Sequence, residues 1–60
     1  NMDNQEYLKI AVTAIRSRFQ MLDLMLSNEL TQPSKEGLQS VVNLTEMDLN
    51  VIKSIIENKE

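Results

Sequence analysis

Two stripes of apolar residues, one in each half of the chain, constrain this sequence more than any other feature. The first runs Leu8, Val12, Ile15, Phe19, Leu22, Leu26, and the second Leu38, Val42, Thr45, Leu49, Ile52, Ile56. Both advance by alternating steps of three and four residues, the spacing that keeps one face of an α-helix apolar. If the chain folds back near Gln32, the stripes meet antiparallel, layer by layer: Leu8 with Ile56, Val12 with Ile52, Ile15 with Leu49, Phe19 with Thr45, Leu22 with Val42, and Leu26 with Leu38. The bulkiest of these, Phe19, faces the smallest, Thr45. The expected fold is therefore all-α, an antiparallel two-helix hairpin forming a single domain over residues 1–60.

Local chemistry places its boundaries. Between about residues 3 and 30 the chain has neither glycine nor proline and is rich in good helix formers, which predicts one long helix. Asp3 and Glu6 fall in its first turn, where carboxylates suit the positive end of the helix dipole. The punctuation is Thr31-Gln32-Pro33-Ser34: proline disfavours helix in the residue before it and is tolerated in a first turn. The turn is expected at about 31–34 and the second helix at about 34–58, with Thr31 or Ser34 as its N-cap. Asn1, ahead of Met2, is set aside from this reading.

A chain of 60 residues buries too little surface to be comfortable alone. Small scaffolds add a staple, but this one has no cysteine and no histidine, so disulfides and the common structural metal sites are out of reach. Self-association is the staple that remains.

The residues left over after the hairpin core is assigned point the same way. On one flank of the stripes, antiparallel pairing brings Arg16 near Glu46 and Asp23 near Gln39, with Lys9 and Lys53 at the ends, and this flank reads as wet. On the other, Ala11 meets Ile55, Met25 meets Val41, and the charged residues Arg18 and Asp48 meet each other. Behind this second flank lie Tyr7, Ile10, Ala14, Met21 and Leu24 on the first helix and Leu44 and Val51 on the second. Together Tyr7, Ile10, Ala11, Ala14, Arg18, Met21, Leu24, Met25, Val41, Leu44, Asp48, Val51 and Ile55 form the expected association surface, a contiguous patch of the kind that marks binding between proteins. The expected partner is a second copy, the hairpins packing through this flank into a four-helix bundle. A helical segment of another protein is the other candidate. Arg18 and Asp48 are read as an ion pair within the hairpin that fixes register, as polar groups in helical interfaces do.

Catalysis is not expected. The usual general base and the strongest nucleophile, histidine and cysteine, are both missing, and the serines and threonines have no base beside them. Di-iron bundles pair an inward glutamate with a histidine three residues on, a pattern this chain does not contain. No cofactor, metal or small-molecule substrate is expected. The net charge of -3, with scattered basic residues, argues against a concentrated phosphate-binding surface. No apolar run approaches the roughly 20 residues that span a bilayer, and no signal peptide is evident, so a cytoplasmic location is expected. The sequence thus reads as a non-catalytic protein-interaction module, an adaptor, accessory or regulatory protein acting through helix–helix association. The alternative is a small RNA- or DNA-associated regulatory dimer.

Overall fold

The computed structural model describes residues 2–59; Asn1 and Glu60, the ends of the expected domain, lie outside the described residues. Two helices of 23 residues each, α1 (Asn4–Leu26) and α2 (Lys35–Glu57), are joined by a segment holding one 3-10 turn, Glu29–Thr31. They pack against each other along an elongated body with extents of 47 × 18 × 16 Å. The radius of gyration is 14.1 Å, against the roughly 10 Å that a compact domain of this length would have. Two helices side by side give a rod with no second layer to bury their remaining faces.

Side chains set the ends of both helices. The Asp3 carboxylate accepts a hydrogen bond from the Glu6 backbone N–H at 2.9 Å, so Asp3 caps α1 instead of lying in its first turn. At the other end α1 stops at Leu26, earlier than the expected limit of about residue 30. The Ser27 hydroxyl donates to the Asp23 carbonyl at 2.7 Å, and Asn28 leaves the helical region with its side-chain oxygen accepting from Leu30 N–H at 2.9 Å. Short polar side chains compete for backbone groups in this way and favour turns over helix interiors. Leu30, helical in the sequence reading, projects from the turn and is 92% exposed. Ser34, the second of the two candidate caps, accepts from the Gly37 N–H at 2.9 Å and opens α2 immediately after Pro33. Asn58 closes it, donating from both its backbone and its amide group to the Ser54 carbonyl.

The seam between the helices differs from the expected pairing. On α1 the sheltered residues are Leu8, Ala11, Ile15, Arg18, Leu22 and Met25, with Ala14 at the edge; on α2 they are Val41, Thr45, Asp48, Ile52 and Ile55. Ala11 and Ile55 are the most enclosed, at 3% and 6% exposure. Steps of three and four persist, but each helix is rotated by part of a turn relative to the all-apolar pairing. Val12, Phe19, Leu26, Val42, Leu49 and Ile56, expected inside, are instead between 46% (Phe19) and 65% (Ile56) exposed. The physical reason is that the apolar arc on each helix is wider than one helix–helix seam can cover. Periodicity specifies a helix and its greasy side without specifying which line along that side meets the neighbour.

The α2 cap provides a direct check on this description. Replacing Ser34 with Ala leaves the Gly37 N–H without its acceptor and is expected to cost about 1 kcal/mol. Urea denaturation followed by circular dichroism, at matched protein concentration, measures it.

Candidate functional site

Midway along the seam sits the structure's one long-range polar network among the described residues. The Arg18 guanidinium donates from one nitrogen to the Asp48 carboxylate at 2.8 Å and from the other to the Thr45 hydroxyl at 3.0 Å. Its fork is planar and rigid, so engaging two acceptors on neighbouring turns of α2 fixes both the rotation and the longitudinal register of the helices. The pair is sheltered, with side-chain exposures of 16% for Arg18 and 22% for Asp48. The ion pair was legible from the sequence; the Thr45 bond was not, because Thr45 had been read as the small member of an apolar layer. Across the wet flank, Arg16 and Glu46 are both exposed and make no ion pair among the described residues.

The rotation divides the exposed apolar residues between two broad faces, one on each side of the seam. Val12, Phe19 and Leu26 follow the seam residues Ala11, Arg18 and Met25 by one position, while Val42, Leu49 and Ile56 follow Val41, Asp48 and Ile55. In an antiparallel helix pair these positions share one side of the seam, here called the Phe19 face. Tyr7, Ala14 and Met21 precede Leu8, Ile15 and Leu22, and Leu44 and Val51 precede Thr45 and Ile52, forming the opposite Met21 face.

The expected association surface is therefore split. Ala11, Arg18, Met25, Val41, Asp48 and Ile55, read from sequence as flank residues, belong to the seam of the hairpin itself. This placement follows from the rotation: the residues read as one flank lie on the line of contact between α1 and α2. Tyr7, Ile10, Met21, Leu24, Leu44 and Val51 stay exposed, from 40% (Val51) to 72% (Leu24), and Ala14 is half-buried between them and the seam. The Phe19 face is the surface that sequence reasoning assigned to the interior.

The Met21 face has a recess of about 250 Å³ near the turn, lined by Arg18, Met21, Leu22, Met25, Pro33, Ser34, Gly37 and Val41. Gly37 creates part of it. Its backbone is not in the left-handed region, and a Cβ there would crowd the Ser34 hydroxyl at 3.2 Å, so glycine contributes missing volume and room for the capping hydroxyl. The recess is smaller than the roughly 300–1,000 Å³ of small-molecule pockets. Among the described residues no cluster of acidic side chains is arranged to hold a metal ion, and no helix is long and apolar enough to cross a membrane.

A double-mutant cycle tests the seam network. Arg18→Met strips Asp48 of its partner inside the seam and is expected to cost about 1–3 kcal/mol, with Arg18→Met/Asp48→Leu recovering a large part of the loss. Thermal or urea unfolding of the four proteins supplies the coupling energy, and strictly additive effects would show that the contact fixes nothing. Comparison with protein-family models, with curated proteins and with solved structures finds no match to this chain.

Proposed function

We propose that the chain is a non-catalytic protein-interaction module, an adaptor, accessory or regulatory protein, that acts through helix–helix association and pairs with itself as a four-helix bundle. The observation that supports this reading most is the surface the hairpin leaves open. Its accessible area is 5131 Å², whereas a folded chain of 6.9 kDa exposes about 4,000 Å² by the scaling of monomeric proteins. Phe19, Leu49, Ile56, Ile10, Met21 and Leu24 are all exposed by 46% or more, on both sides of the seam. Contiguous apolar surface on this scale marks association sites in soluble proteins.

A partner helix laid along either face would complete a further seam of the same geometry as the one already formed. A second hairpin would do so with both helices at once, which is how two-helix units reach the stability that one layer lacks. The methionines Met21 and Met47 among the exposed residues add adaptable apolar surface, suited to a partner helix of differing shape.

Sedimentation equilibrium tests the self-pairing. At micromolar concentration the protein is expected to sediment at twice its chain mass, with a helical melting temperature that rises with concentration. A stably helical monomer with a concentration-independent melt overturns the reading. Capture from native cells that yields nucleic acid in a steeply salt-dependent manner, with no protein, also counts against it.

A further inference from the structure

The two exposed faces are not equivalent, and we infer that the Phe19 face, not the Met21 face, is the one a second copy of this chain covers. This inference rests on the reading of the chain as a self-associating module and specifies where that association occurs.

The first observation is the chemistry of each groove. The Phe19 face has Leu8, Ile15, Leu22 and Ile52 along its floor, with Val12, Phe19, Leu26, Val42, Leu49 and Ile56 as its walls. Its one polar floor residue, Thr45, already has its hydroxyl bonded to Arg18. Covering this groove therefore buries chiefly aliphatic and aromatic surface, with the Thr45 hydroxyl oxygen already engaged as an acceptor. The Met21 groove has Arg18 and Asp48 in its floor, and Gly37 and Ala14 where larger side chains would form the walls. Two copies meeting there would enclose two ion pairs in one core. Removing the remaining water from a charged group carries a penalty that pairing recovers only in part.

The second observation is area. The rod's extents of 47 and 18 Å give each broad face a footprint of about 850 Å², close to the roughly 800 Å² per partner of a standard stable interface. A partner presenting one helix would cover only part of that.

The third observation is the rim. Outward of the Phe19 face lie Lys9, Arg16 and Asp23 on α1 and Gln39, Glu46 and Lys53 on α2. A rim carrying both signs is compatible with a copy of itself, whereas a partner of one strong charge would be matched by a rim of the opposite sign. With the Phe19 face closed, the Met21 face and its recess remain outward.

Charge insertion on each face separates the possibilities. Leu49→Glu on the Phe19 face is expected to weaken self-association by at least about tenfold, while Met21→Glu on the other face leaves it within about threefold of the unaltered protein. Because dissociation by an inserted charge can be confounded with unfolding, a second measurement avoids charge altogether. The chain has no cysteine, so Leu49→Cys and Met21→Cys each present one thiol. Alkylation of the first is expected to slow at least about tenfold as concentration rises through the association range, while the second keeps a constant rate. Loss of association in Met21→Glu but not in Leu49→Glu, with protection of the Met21→Cys thiol instead, overturns the choice of face and leaves the self-associating module standing. An unaltered protein that is monomeric at every concentration removes the module reading itself.

Discussion

Everything in this hairpin is arranged around one guanidinium. Arg18 reaches across the seam to Asp48 and Thr45, and these directional bonds separate the observed packing from its neighbours in rotation. An apolar seam alone is forgiving, because turning either helix slightly exchanges one aliphatic contact for another of similar worth. A forked donor with acceptors on two turns of the facing helix is not forgiving, since rotation or slippage breaks both bonds and strands a carboxylate. The cost is that the residues flanking the network, rather than the longest apolar stripe, become the line of contact. Ala11 and Ile55 are the most enclosed residues along it.

The consequence for function runs through area rather than chemistry. Fixing the seam at Arg18 leaves apolar residues on both sides of it, so the hairpin has two open faces where a better-buried unit would have one. One face is free of charge and shaped by bulky aliphatic residues. The other carries the ion pair in its floor and a hollow where Gly37 has no side chain. The two faces therefore differ in composition as well as in position.

Particular residues show what the sequence could reveal. The two helices, the fold-back near Gln32, Ser34 as one of two candidate caps and the meeting of Arg18 with Asp48 all follow from spacing and local chemistry. The end of α1 was legible in principle, since Ser27 and Asn28 are residues whose side chains bond their own backbone, but the good helix formers around them obscured the signal. The phase of the packing was not legible. Leu8, Ile15, Leu22 and Ile52 sit in the seam under either rotation, so these strong positions do not discriminate. The residues that do, Val12 against Ala11 or Leu49 against Asp48, favour the wrong side if judged by hydrophobicity alone. For the association surface the same ambiguity placed the line of contact one position away.

The equal lengths of α1 and α2 bring the residues near Asn4 and Glu57 to one end of the rod, with the Glu29–Thr31 turn at the other. A force applied between the two ends of the chain therefore pulls the helices apart sideways instead of sliding them past each other. Under such a load the seam peels, starting from the Ala11 and Ile55 end, and the bonds of Arg18 halfway along form the first directional obstacle. Tension applied between the start of α1 and the end of α2 therefore loads the seam one layer at a time, instead of all its layers at once.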